Sequence, residues 1–339
     1  MVLNPSTGWN YRSTLTISSP SADYQMKLDI RRGSGTNDPA NGIIFEENHC
    51  YYSDMRDVQV NSTNNPNTGD RLYQWAEEVE SGVKRIIWIK TNGNSNIYLF
   101  VGNSGASEYS DGDDTFLEFD DFSTYSGWTE IHGEGNAQSV DGKLRVAKPT
   151  TNSEDWYAYI ATTQYSDVAV DVKAKWDDTS KRPAVIARYD GSTYGSHNDQ
   201  FAYCRMTSQE IRLYKTVNGS YTQLASSSYT LTNNEWHYIS FRLQGSSLEM
   251  YIEDEAGNTK TISATGVAGS GYVGLRLFAD TSDNIYAWFD DFRVRKYASS
   301  PPSWSNFGAW EKLAKHPILH LDKGPHPRSR LGLYPKLSL

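Results

Sequence analysis

The sequence predicts an all-β fold of two β-sandwiches, the second a jelly roll, followed by an irregular C-terminal tail. Three observations predict it. Aromatic residues make up 13% of the chain, with 23 tyrosines, 10 tryptophans and 11 phenylalanines, amid abundant Ser, Thr, Asn and Gly; that mixture suits short strands joined by polar turns. Strand-length runs recur along most of the chain with turn signals between them, and Leu-rich stretches of helical period are few. The length, 339 residues, exceeds the usual single-domain allotment and calls for two cores.

In the first block, residues 1–110, strands are expected at Tyr11 to Ile17, Tyr24 to Ile30, Arg85 to Lys90 and Asn96 to Val101. The last two flank Asn92-Gly93, a hairpin signal, which makes the block a meander. Leu72 to Glu80 fits a strand or a helical turn, and Asn61 to Asp70 is a long polar loop. Ser107 to Thr115, rich in Ser, Asp and Gly, reads as a linker. Its Asp111-Gly112-Asp113-Asp114 lacks the later ligand positions of a calcium loop.

The second block, residues 116–297, carries a dozen expected strands: Lys143 to Val146, Trp156 to Thr162, Val168 to Lys175, Ala184 to Tyr189, Phe201 to Arg205, Glu210 to Thr216, Tyr221 to Ala225, Trp236 to Leu243, Ser247 to Glu253, Thr259 to Ser263, Tyr272 to Ala279 and Ile285 to Arg295. Asn218-Gly219 closes a hairpin. Strands at this spacing make a two-sheet sandwich or jelly roll.

Residues 298–339 differ in kind. Six Lys/Arg face two Asp/Glu, and the segment holds six of the 12 prolines and three of the seven histidines, without a period-2 run. It is expected to be disordered or artefactual, for instance through a reading-frame change near Ser299, with one short helix from Trp304 to Leu313, capped by Ser305, as the exception.

Two resemblances rest on particular residues. Glu235-Trp236-His237-Tyr238-Ile239-Ser240-Phe241-Arg242-Leu243, Gly245 and Leu248-Glu249-Met250-Tyr251-Ile252-Glu253 form a hairpin pattern. Through it the second block resembles the concanavalin A-like lectin/glucanase superfamily, in the branch near laminin-G-like modules. Trp9-Asn10-Tyr11-Arg12, Tyr73-Gln74-Trp75 with Glu77, Trp88-Ile89-Lys90 and Ile97 to Asn103 make the first block similar to a family of unknown function. That family is often found at the start of secreted archaeal and bacterial proteins, just before such a lectin-like module. The resemblances imply an extracellular or cell-surface protein that binds carbohydrate or mediates adhesion. The chain's own start, Met1-Val2-Leu3-Asn4-Pro5, lacks signal-peptide regions, so the chain is either cytoplasmic or has lost its native beginning.

Charge and motifs narrow the function. The formal net charge of −9 argues against nucleic acid or an anionic membrane surface as main partner, and no apolar run approaches a membrane span. Cys50 and Cys204 are far apart and are expected as free thiols. Nucleophile-elbow, zinc-protease and phosphate-loop motifs are missing. Glu249, Glu253 and Glu255 share a strand face, but Glu249 and Glu253 lie about 13 Å apart, beyond the roughly 5 to 9.5 Å of glycosidase carboxylates. The protein is therefore expected to be non-catalytic.

A recognition surface is expected from Tyr189, Asp190, Tyr194, His197 and Asn198 in the loop after Ala184 to Tyr189, with Tyr157, Tyr159, Tyr203, Arg205, Arg212 and Tyr214 from nearby strands. Rings stack on sugar faces, and polar groups bond hydroxyls. The alternative is that these tyrosines merely cover a twisted sheet. The repeated Phe-Asp-Asp-Phe motifs place Asp120, Asp121, Asp290 and Asp291 on strands that a jelly roll can make neighbours. Either a structural calcium compensates these carboxylates, as in related lectin-like domains, or they face solvent or pair with Arg293 or Arg295. The expected partner is a polysaccharide or glycan. The alternative function is a structural subunit that self-associates into an extracellular filament, sheath or virion decoration, and a polysaccharide-active enzyme is the third. Sequons at Asn61 and Asn218 offer glycosylation sites if the chain is exported.

Overall fold

The computed structural model describes residues 8–66, 68–133, 137–147, 156–177, 181–279 and 286–313. Expectations for the remainder of the tail fall outside these residues. The molecule is two β-sandwiches that meet at a contact lined by Trp75, Trp88, Phe116 and Phe119.

The second sandwich pairs an eight-stranded with a seven-stranded antiparallel sheet. Along the first the order is Ala137–Val140, Lys143–Ala147, Tyr286–Lys296, Val168–Trp176, His237–Gln244, Ser247–Asp254, Thr259–Thr265, with Glu118–Asp120 also on Tyr286–Lys296. The other runs Ser220–Ser228, Glu210–Val217, Asp199–Arg205, Lys181–Tyr189, Gly271–Ala279, Trp156–Tyr165, Trp128–His132. Inward residues alternate along most strands: Ile239, Phe241 and Leu243 meet Leu248, Met250 and Ile252 from the neighbouring strand, and Trp156, Ala158 and Ile160 join the same core, whereas on Tyr286–Lys296 an irregularity at Asp290-Asp291 sends both Phe289 and Phe292 inward. Both expected hairpins form; Asn218 (φ 48°) and Gly219 (φ 73°) adopt the left-handed pair that a two-residue turn requires.

The first sandwich combines Tyr11–Ser18, Asn96–Val101 and Gln59–Asn61 in one sheet with Ile43–Phe45, Gln25–Arg31, Lys84–Lys90 and Gln74–Glu80 in the other. Lys84–Lys90 and Asn96–Val101 lie in different sheets, which corrects the expected hairpin at Asn92-Gly93. The turn itself is left-handed, at φ 51° and 76°, but the backbone of Thr91 is already bonded to Tyr24, so the chain leaves one sheet and enters the other. The nearly continuous apolar run of Lys84–Lys90 has a double role: Ile87 and Ile89 enter the first core, whereas Trp88 joins Trp75 and Phe116 toward the second sandwich.

The expectation of an unstructured tail with a helix at Trp304 to Leu313 is corrected. Ser303–Phe307 and Glu311–Lys312 are strands that return to the first sandwich and pair antiparallel with Tyr11–Ser18. Trp304 and Phe307 are buried in its core. The indole N–H of Trp304 donates to the carbonyl of Lys27 at 2.8 Å, and that of Trp310 to Phe45 at 2.8 Å. Gly42, left-handed at φ 68°, lies beneath Trp304, where a Cβ would sit 3.3 Å from the ring. Residues 303–312 thus complete a core begun at residue 11, with the second sandwich spliced between.

The two sandwiches are held by buried charge. Arg293, 1% exposed, donates to Glu77 and lies 3.5 Å from Asp171, while Arg295 donates to Asp171 at 2.7 Å. Lys27 reaches the other Glu77 oxygen at 2.8 Å. The Arg293 guanidinium sits 5.0 Å from the Trp88 ring, 5.3 Å from Trp75 and 5.5 Å from Tyr238. Burial alone would raise the Glu77 pKa, but Arg293 and then Lys27 hold it well below the carboxylate range.

Candidate functional site

The outer face of the seven-stranded sheet gathers the predicted aromatic residues. Strand register sets them in rows: Arg212, Tyr203, Ala184, Arg276, Tyr157 and His132 are successive cross-strand partners, and Tyr214, Phe201, Ile186, Gly274 and Tyr159 form the next row. Alternation explains the segregation. On Gly271–Ala279, Val273, Leu275 and Leu277 enter the core, so Arg276 and Phe278 face outward with the rings.

At the centre, Arg276 is fully buried, 3.9 Å from the Phe278 ring and about 5 Å from those of Tyr157, Tyr194, Phe201 and Tyr221. It also donates to the hydroxyls of Tyr194, at 3.1 Å, and Tyr221. Tyr157 and Tyr189 are buried beneath this layer, and Tyr159 packs on Tyr189 and Tyr272. Burial, then the Asp199 carboxylate 2.8 Å from its hydroxyl, raises the Tyr157 pKa far above the usual phenol value.

The loop 190–198 folds over one end of this face and spends its polar groups on itself. Asp190 accepts from the backbone of Ser192 at 2.9 Å and from the Asn198 amide at 2.6 Å. Asn198 caps the hairpin through the Asn218 backbone N–H at 3.0 Å. His197 is buried 3.6 Å from Asp199. Tyr194 stacks on His132 with centroids 4.0 Å apart. Of the predicted set, then, Tyr157, Tyr189, His197 and Tyr203 are buried.

The accessible part begins beside this loop and runs along the outer strands: Tyr221 is 45% exposed, Tyr214 and Phe278 are half-buried near it, and Arg212 and Arg205 are half-buried further along the strands. Tyr214 stacks on Phe201 at 5.3 Å and donates to Gln223 at 2.9 Å. Arg212 is fixed by Glu210 at 2.8 Å and approaches the Tyr203 and Tyr214 hydroxyls at 3.5 and 3.4 Å. The buried Arg205 Nε has no hydrogen-bond partner among the described residues. Phe201, Tyr221, Tyr272, Arg276 and Phe278 were missed from the sequence, although period-2 alternation through Val273, Leu275 and Leu277 already places Arg276 on the Tyr157 face.

The expected calcium site does not form. Glu118–Asp120 and Tyr286–Lys296 are indeed neighbours, with Asp120 opposite Phe292, but the carboxylates find other partners. Asp120 accepts the Trp128 indole N–H at 2.6 Å and the Phe122 backbone N–H at 2.7 Å, and Asp121 accepts from Ser123. Asp291 pairs with Lys173 at 2.6 Å, and Asp290 lies 3.9 Å from Lys143. Burial and then neighbouring Asp291 push the Asp290 pKa up to about 6. Among the described residues no cluster of three His, Cys, Asp or Glu side chains fits a metal ion. Asp111 caps the one-turn helix Gly112–Thr115. Glu249 pairs with Arg242, and Glu253 accepts from Tyr251. The sequon at Asn61 is also unsuitable: that side chain is fully buried and donates to the Asn65 carbonyl at 2.7 Å, whereas Asn218 is exposed.

Comparison with known proteins gives three findings. The family described as a domain of unknown function, DUF2341, matches residues 54–131, a segment that includes Trp75, Glu77, Trp88 and Phe116 of the contact between the sandwiches. No curated protein matches the chain. Among solved structures, the carbohydrate-binding module CBM66 from Bacillus subtilis aligns at 16% identity over 50% of this chain and 96% of its own, with a TM-score of 0.42. A protein of unknown function with a galectin-like fold from Bacillus subtilis gives 12%, 53%, 96% and 0.44, and a Bacillus licheniformis β-glucanase 14%, 53%, 97% and 0.41.

Proposed function

We propose that the protein is a non-catalytic glycan-binding protein acting outside the cell or at its surface, with the exposed rings on the outer face of the seven-stranded sheet as its platform. One observation carries this reading: Tyr221, Tyr214 and Phe278 pack against Phe201, Tyr221 and Phe278 also against Arg276, and Arg212 reaches the Tyr214 hydroxyl. Flat rings take the C–H faces of sugars, and arginines bond hydroxyls. Because the rings are already fixed by ring contacts and by Arg276, little side-chain freedom is lost when a ligand binds. Glycan-array screening followed by titration of the best ligand tests it. Binding that falls at least about tenfold, a change worth about 1.4 kcal/mol, in both Tyr221→Ala and Tyr214→Ala supports the platform. A blank array, or binding indifferent to both substitutions, overturns it.

A further inference from the structure

A cavity of about 360 Å³ opens on the first sandwich, between the strand Gln59–Asn61 and the loop that follows Asn96–Val101. Its wall includes Trp9, Gln59, Arg71, Asn103, Ser107 and Tyr109, and among the described residues that line it Arg71 alone is charged. Arg12, Arg31, Arg56 and Arg85 of the same sandwich each pair with a carboxylate. Arg71 has no acidic partner among the described residues. Its Nε and Nη2 donate to the Gln59 amide oxygen at 3.2 and 2.7 Å, and its guanidinium lies 4.5 Å from the centre of the Tyr109 ring. Gln59 is 3% exposed, and its own amide N–H groups are committed to Asn61 Oδ1 at 2.8 Å and to the Pro66 carbonyl at 3.1 Å, which turns its oxygen toward Arg71. A buried amide and a ring, both part of the cavity wall, thus hold the half-buried guanidinium in place. Its Nη1 makes no hydrogen bond among the described residues and keeps access to solvent.

We infer that this cavity binds a hexuronic acid, with the sugar's carboxylate on Arg71. Charge sets the class. Nη1 and the second hydrogen of Nη2 form the fork that takes a carboxylate through two parallel bonds, and one guanidinium balances one such charge. A doubly charged phosphate would call for a second cation, and the described lining holds none. The rest of the wall sets the body of the ligand: an indole, an amide and two hydroxyls suit a ring that bears hydroxyls better than they suit a bare carboxylate. The volume lies at the lower end for small-molecule sites, which favours one sugar unit over a chain. Because Gln59 and Tyr109 already fix the cation, little side-chain freedom is lost on binding. The cavity belongs to the other sandwich from the Tyr214–Tyr221 platform and does not depend on it; all of its wall except Trp9 falls within residues 54–131, the segment that matches the family of unknown function.

NMR titration of the full chain with glucuronate and with galacturonate, at millimolar concentrations, tests the inference. The methyl esters serve as neutral counterparts, acetate as a carboxylate without a sugar ring and inorganic phosphate as a plain anion. The expected result is binding of at least one of the two acids about tenfold or more tighter than its ester, acetate or phosphate. That binding should be lost in Arg71→Gln, weaken at least about threefold in Arg71→Lys, which keeps the charge without the fork, and persist in Tyr221→Ala. Arg71→Lys also carries the test should Arg71→Gln unfold the first sandwich. Failure of both acids to bind, or an ester, acetate or phosphate binding as tightly, overturns the inference. So does affinity unchanged by the Arg71 variants. Loss of binding in Tyr221→Ala would assign the acidic sugar to the platform and likewise overturn the cavity, whereas a blank glycan array with uronate binding intact would overturn the platform alone.

Discussion

The two outer faces of the second sandwich each bury an arginine among aromatic rings, yet they do opposite things. On the eight-stranded sheet, Arg293 lies between Trp75, Trp88 and Tyr238, and carboxylates from both sandwiches, Glu77 and Asp171, neutralise it. On the seven-stranded sheet, Arg276 lies among Tyr157, Tyr194, Phe201, Tyr221 and Phe278 and donates to tyrosine hydroxyls. Rings alone do not distinguish a joint from a platform. A cation shared by two buried carboxylates fixes one body against another, because separating them leaves bare charge in a poorly solvated contact. A cation shared by hydroxyl-bearing rings stiffens a surface and leaves its outermost rings, Tyr221 above all, facing solvent.

The strongest way to break this comparison is Arg293→Ala, which leaves Glu77 with Lys27 alone and Asp171 with Arg295 alone and removes the cation that joins them. Denaturant unfolding is expected to show a loss of about 3 to 5 kcal/mol; a loss below about 1 kcal/mol would deny Arg293 its role as the joint. Trp304→Ala attacks the same four-stranded sheet from its other side, by opening the core that the returning strand closes, and is expected to cost about 3 kcal/mol or more. An unchanged melting curve would mean that docking alone holds the first sandwich. Arg276→Ala should cost less, about 2 kcal/mol, because rings and hydroxyls rather than paired carboxylates surround the charge; a loss equal to that of Arg293→Ala would erase the distinction.

Acid and base separate the faces further. Burial opposes the charged form of Asp171, but Arg295 and then Arg293 hold its pKa below the usual value, as Arg293 and Lys27 do for Glu77. The stability these groups contribute is therefore present above the unfolded carboxylate pKa of about 4 and lost as pH falls. Asp290 behaves in reverse. Its pKa near 6 makes ionisation costly in the fold, so stability falls as pH rises from about 4 to 6. Asp290→Asn should stabilise the protein by about 1 to 2 kcal/mol at pH 7 and by nothing measurable below about pH 4; equal melting points at both pH values would remove Asp290 from the account. The smallest stability effect, within about 0.5 kcal/mol, is expected for Tyr221→Ala, whose consequence is in glycan titration rather than in melting.

Most strands were legible because their evidence is local. Tyr157 and Tyr159 alternate with Trp156, Ala158 and Ile160, and the sheet sends one set outward and the other into the core. The strand at Ser303–Phe307 was illegible for an equally physical reason. A bulge between Thr16 and Ile17 shifts the register, so Trp304 and Phe307, three residues apart, both reach the core. Phe307, Trp310 and Leu313 recur at three-residue spacing, the mark of a helix face, so the segment's local pattern predicts a helix. Within the candidate site, the tyrosines were visible in sequence, whereas their burial under the loop 190–198 and around Arg276 depended on contacts between distant strands.

The sequence by itself determined the all-β class, the two well-formed hairpins and the division of most strands into an inner and an outer set, since period and turn chemistry act over a few residues. The tertiary structure decided which partner each charge received. Asp120 was given the Trp128 indole, Asp291 the Lys173 ammonium and Glu77 the Arg293 guanidinium, the last across 216 residues of chain. A carboxylate's neighbours in a sheet come from strand order and register, which depend on how the whole chain closes, and that closure also returned residues 303–312 to the first sandwich.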